Sequence, residues 1–143
     1  MEDSGMDLRN ADALEQSPRK VYTYEEAVAA AKDYFNGDDL AGTVWVSKYA
    51  LKDSAGNIYE KSPEDMHWRL AKEIERIEKR YPNPMSAQEL FDLLDKFRYV
   101  VPQGGPMTGI GNEFQIASLS NCFVIGNDPA ADSYGGIFRT DEE

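Results

Sequence analysis

Apolar positions recur at helical spacing through the first two thirds of the chain, then give way to short apolar runs set among glycines and prolines. Tyr24, Ala27, Val28, Ala31, Tyr34 and Phe35 share one face of a helix predicted over 24–35. Thr23-Tyr24-Glu25-Glu26 opens it as a capping box, and Asn36-Gly37 supplies a left-handed stop. A second helix is predicted over 39–49 with Asp38 or Asp39 as its cap, although Thr43, Val44 and Val46 also suit a strand. Asp53-Ser54-Ala55-Gly56-Asn57 is turn chemistry between two short apolar stretches, which predicts a small hairpin or an irregular loop. Ser62-Pro63-Glu64-Asp65 starts the longest helix, running to about 81: a hydroxyl cap, a proline where no amide is needed, and acids in the first turn. Met66, Leu70, Ile74 and Ile77 form its apolar stripe, with Asp65 to Arg69 and Glu75 to Lys79 as ion pairs on the wet side.

Pro82-Asn83-Pro84 breaks that helix, and Ser86-Ala87-Gln88-Glu89 caps another over 87–96 that packs Leu90, Phe91, Leu94 and Phe97. The character then changes. Residues 97–101 read as a short strand, Gly104 to Gly111 as rigid turns rather than helix, and 114–119 and 122–125 as further strands. Asp132-Ser133 is a cap for a final helix, and residues 1–20 are a polar arm. Apolar strands with nothing to pair them leave open edges, so the expectation is either self-association or a sheet that continues downstream.

A length of 143 residues, 41% hydrophobic and 11% aromatic, suits one domain with a core. Fifteen basic against 26 acidic residues give a net charge of −11, which repels a phosphate backbone and argues against nucleic-acid binding. Apolar runs such as Val44 to Val46, Tyr99 to Val101 and Cys122 to Ile125 fall far short of the roughly 20 residues that span a bilayer. The first 19 residues carry Asp3, Asp7, Asp12 and Glu15 and no apolar core, unlike a secretory or transit peptide. With one cysteine in the chain, a cytoplasmic, reducing compartment is expected.

Chemistry has few candidates. The glycines at 104 to 111 lack the Lys-Ser/Thr of a P-loop and the third glycine of a dinucleotide fingerprint, leaving a structural turn or a bare backbone that a substrate approaches closely. In Ser118-Leu119-Ser120-Asn121-Cys122-Phe123, strand alternation puts Cys122 on a polar face with Ser118 and Ser120; the competing reading is an inert small hydrophobe. His67, the single histidine, is expected as a structural residue at the surface or half-buried, distant in sequence from Cys122. One His and one Cys without ligand spacing predict no metal site, and Glu73, Glu75 and Glu78 read as a solvated face.

Taken in order, Tyr22-Thr23-Tyr24-Glu25-Glu26-Ala27, Asp39-Leu40-Ala41 with Val44-Trp45-Val46, Lys48-Tyr49-Ala50-Leu51-Lys52-Asp53, Met66-His67 with Arg69-Leu70-Ala71-Lys72-Glu73, Val101-Pro102-Gln103-Gly104 with Pro106-Met107, Ser118 to Ile125 and Asp132-Ser133-Tyr134-Gly135-Gly136-Ile137 form a pattern. It resembles the N-terminal part of the ribonucleotide reductase catalytic chain, most of all the adenosylcobalamin-dependent class, over about 21–143. The resemblance implies a mixed α/β fold: a polar arm over 1–20, a helical N-terminal domain over 21–97, and over 98–143 the first strands of a ten-stranded α/β barrel that is incomplete here. The activity implied is replacement of the ribose 2′-hydroxyl of a ribonucleotide by hydrogen through radical chemistry. Cys122 matches a redox thiol that forms a disulfide with a distant second cysteine after each turnover.

By the same resemblance Pro106, Met107, Thr108, Ser120 and Asn121 line the substrate, and Asp132, Ser133 and Tyr134 begin an effector-binding helix that is also a subunit interface in many members, which implies a homodimer. Implied partners are ribonucleotide substrates, deoxynucleotide or ATP effectors, a thioredoxin-type reductant and the rest of the catalytic chain. Adenosylcobalamin is the implied cofactor, bound mainly by residues outside this segment. The radical-bearing cysteine, its Asn and Glu partners and the second redox cysteine have no counterpart, so 143 residues alone are expected to be inactive. The competing expectation is a complete acidic helical interaction module with a buried structural cysteine and no catalysis.

Overall fold

The computed structural model describes residues 19–120, 122 and 133–142. Six α-helices form among them: α1 (Tyr24–Tyr34), α2 (Asp39–Lys48), α3 (Pro63–Glu78), α4 (Ala87–Leu94), α5 (Gly104–Gly109) and α6 (Tyr134–Glu142), with a 3-10 turn at Asp95–Phe97 after α4. The chain divides into two compact units, Met1–Pro63 and Glu64–Glu143.

In the first unit α1 packs against α2. The capping box is complete: Glu26 N–H donates to Thr23 Oγ1 at 3.2 Å, and Thr23 N–H to Glu26 Oε2 at 2.8 Å. The stop is a Schellman motif, with Asn36 at φ 57° and Gly37 N–H bonded to Lys32 O at 2.9 Å. Asp38 caps α2 through Ala41 N–H at 2.9 Å, which settles the helix over the strand alternative. Ala27, Ala31, Tyr34, Trp45, Val46, Ala50, Leu51 and Ile58 are buried. The two backbones lie so close at Gly42 that a Cβ there would meet Lys32 N at 2.9 Å.

The expected hairpin is reduced to isolated antiparallel bridges, Tyr22 to Ile58 and Lys52 to Ile58. Its turn is held by Asp53, whose carboxylate accepts from Ala55 N–H and Asn57 N–H at 2.9 Å each and from Asn57 Nδ2 at 2.8 Å. Those bonds, Asn57 first, keep Asp53 below its ordinary pKa.

In the second unit the sixteen-residue α3 buries Met66, His67, Leu70 and Ala71, while Ile74 and Ile77 are half-buried. Trp68 stacks on Phe91 with ring centroids 4.2 Å apart. Asn83 turns the chain at φ 57° between the two prolines, and Ser86 and Glu89 form the second capping box. The acids of α3 do more than face solvent. Glu75 Oε1 accepts from Ala87 N–H at 3.1 Å and Glu78 Oε2 from Met85 N–H at 3.3 Å, so α3 orients the entry into α4.

Four expectations are corrected. His67 is fully buried, not at the surface, and packs edge-on against Phe97 with centroids 4.7 Å apart. Residues 97–101 form no strand: Lys96 and Phe97 take left-handed φ of 56° and 53°, and Arg98 to Val101 follow as exposed irregular chain. Residues 114–119 are likewise irregular and exposed, since no described segment pairs with them. Gly104–Gly109, read as rigid turns, is a helix. Gly104, Gly105 and Pro106 fill the first turn, where amides need no intrahelical acceptor and proline's φ suits a helix. The expectation for 1–18 and for 123–125 lies outside the described residues, and Cys122 itself is in no regular element.

Candidate functional site

Three of the predicted substrate residues, Pro106, Met107 and Thr108, stand on α5, and every carbonyl of its last turn is taken. Ile110 N–H donates to Pro106 O at 3.1 Å, Asn112 Nδ2 to Thr108 O at 3.0 Å and Asn112 N–H to Gly109 O at 3.2 Å. The remaining two acceptors, the carbonyls of Met107 and Ile110, are met from α3 by the Arg69 guanidinium, at 2.8 Å from Met107 O. Thr108 Oγ1 donates back to Gly104 O at 3.0 Å. Gly111, at φ 68°, lets the chain leave α5 pressed on α3: a Cβ there would lie 3.0 Å from Arg69 Cγ.

Beyond Gly111 the Asn112 side chain closes a turn by accepting from Phe114 N–H at 2.9 Å. An apolar cleft of about 590 Å³ follows, walled by Ile74 and Ile77 of α3 and by Ile110, Ile116 and Leu119. None of the predicted site residues among the described ones lines it.

Hydrogen bonds hold two carboxylates of α3 below their ordinary range. Glu73 lies below its ordinary pKa through its hydrogen bond from Arg76, and Glu75 through its bond from Lys79 at 3.0 Å. Burial pushes the His67 imidazole down to about 4, so it is neutral at pH 7. A sealed, neutral imidazole is a core side chain and no base for Cys122. Among the described residues no group of three His, Cys, Asp or Glu is placed to hold a metal ion, and no helix is long and apolar enough to cross a membrane.

Residues 35–104 match the family model of the ribonucleotide reductase all-alpha domain. No curated protein and no solved structure matches the chain. The reductase match covers just under half of the sequence, from the end of α1 to the first residue of α5. The helical character of the matched stretch agrees with the family description.

All of the predicted site residues lie beyond the matched stretch. Pro106, Met107 and Thr108 stand together on α5, with Met107 buried and the other two half-buried. Ser120 is exposed, its N–H donating to Ser118 Oγ at 3.1 Å. Cys122 is a free, exposed thiol, at odds with a buried structural cysteine. Ser133 caps α6 through Gly136 N–H at 3.1 Å, and Tyr134 is 83% exposed. Asn121 and Asp132 lie outside the described residues.

Reasoning from sequence missed Arg69, assigned there to an ion pair with Asp65 on the wet side. Its carbonyl partners lie 38 and 41 residues away, and no local pattern marks them.

Proposed function

We propose that the chain is the N-terminal segment of an adenosylcobalamin-dependent ribonucleotide reductase and works as part of a longer catalytic chain in the reducing cytoplasm. The observation that carries this reading is the family match over 35–104. The ordered motifs from Val101 to Ile137 extend it toward the chemistry. In this reading the ribose 2′-hydroxyl of a bound ribonucleotide leaves as water and hydrogen takes its place. Two electrons come from the Cys122 thiol and a second cysteine of the complete chain, which end as a disulfide, and a thioredoxin-type dithiol restores both thiols.

The exposure of Cys122 supports that role, because a thiol exchanging with a partner must be reachable. Pro106, Met107, Thr108, Ser120 and Asn121 would line the substrate. Asp132, Ser133 and Tyr134 would begin the effector helix, α6, at the interface of a homodimer. The described residues do not fit a cobalamin anchor, since the one imidazole of the chain is sealed in the core. The cofactor is therefore assigned to residues outside the segment.

The test is Cys122→Ser in the full-length protein, assayed with a thioredoxin-type reductant. Turnover is expected to stop, because no disulfide forms for the reductant to recycle. Steady-state reduction at the wild-type rate would overturn the assignment of Cys122.

A further inference from the structure

α5 is a helix with poor intrinsic reason to be one. Three of its six residues, Gly104, Gly105 and Gly109, are glycines, which are poor helix formers. Six residues are also too few to hold helical form unaided. Its shape must come from what it packs on. Two anchors reach it from within its own unit: the burial of Met107 and the fork of Arg69 on the carbonyls of Met107 and Ile110.

The guanidinium is suited to this task in two ways. Its planar N–H groups address two carbonyls at once, where a lysine ammonium offers a single point of charge. It also places positive charge at the C-terminal, negative end of the α5 dipole. Gly111 makes the approach possible, because its bare Cα lets the chain lie within a Cβ contact of the Arg69 stem, 3.0 Å at Cγ.

We propose that Arg69 is a positioning residue for the substrate-lining segment 106–108: by seating the last turn of α5 on α3 it fixes the helical form that presents Pro106 and Thr108. The proposal rests on the reductase reading for what those residues touch, and on the geometry alone for the shape of α5. Arg69 acts through backbone and makes no contact with the reacting atoms.

The experiment compares wild type, Arg69→Met and Arg69→Lys in the full-length protein by amide hydrogen exchange over 107–112 and by the KM and kcat for ribonucleotide reduction. In Arg69→Met the amides of 107–112 are expected to exchange about tenfold faster, with the amides of α1 and α2 unchanged. KM is expected to rise about tenfold with kcat within about twofold, since a displaced binding wall weakens substrate and transition state alike. Arg69→Lys should fall between on both readouts.

Unchanged exchange in Arg69→Met overturns the proposal, and so does faster exchange with an unmoved KM. Should Arg69→Met fail to fold, Arg69→Lys carries both readouts, and values equal to wild type there refute the need for the fork. A wild-type protein that binds no ribonucleotide would sink the reductase reading, while the exchange arm would still decide whether Arg69 shapes α5.

Discussion

His67 carries the pH dependence of the core at the scale of single residues. Its folded pKa of about 4 lies below the ordinary 6.5, with burial the largest cause and Asp95 opposing it. The native state therefore refuses a proton that the unfolded chain accepts, so the neutral form's stability is fully present above pH 6.5 and drains away as pH falls toward 4. Urea midpoints measured across that window should fall with pH, and His67→Leu should flatten the slope. An unchanged slope in the variant would show that other groups set the acid limb. The carboxylates Asp53, Glu73 and Glu75, held below their ordinary values by hydrogen bonds, add their own loss at still lower pH.

Among the elements, helix starts are local devices whose parts sit within four residues of each other. Ser86 accepts from Glu89 N–H at 3.3 Å, and Glu89 Oε2 accepts in return from Ser86 N–H at 2.8 Å, which holds the Glu89 carboxyl below its ordinary pKa. Ser86→Ala is expected to cost about 1 kcal/mol in urea unfolding, and Thr23→Ala a similar amount at α1. A loss under about 0.3 kcal/mol at Ser86 would mean that the grip of Glu75 and Glu78 on the entry to α4 makes the cap redundant. Such devices are legible in sequence because four consecutive residues contain the whole interaction. α5 is the opposite case, a glycine- and proline-rich stretch made helical by an arginine on another helix.

Across the whole molecule the dominant field is the net charge of −11. The ion pairs at the surface, such as Arg76 with Glu73 at 2.6 Å and Lys32 with Asp39 at 2.7 Å, are exposed and individually worth little. Repulsion among the excess acids is expected to outweigh them. Raising NaCl from about 0.01 M to about 0.15 M, which shortens the screening length from about 30 Å to about 8 Å, is expected to raise the Tm. A Tm that falls with salt would show that the pairs govern instead.

The sequence by itself determined the starts of α1, α3 and α4, the left-handed stop of α1 and the cap of α6 at Ser133, because caps, left-handed turns and apolar periodicity act over one or two turns of chain. The resemblance read from its motifs over 21–143 includes the stretch 35–104 that matches the reductase all-alpha domain. Tertiary structure alone decided three things. It sealed His67 behind Phe97, it turned Gly104–Gly109 into a helix, and it left 97–101 and 114–119 as irregular chain. Each depends on a partner tens of residues away, or on a strand that no described residue provides. A strand forms only where another pairs with it, and a weak helix only where something caps it, so neither outcome is written in the segment itself.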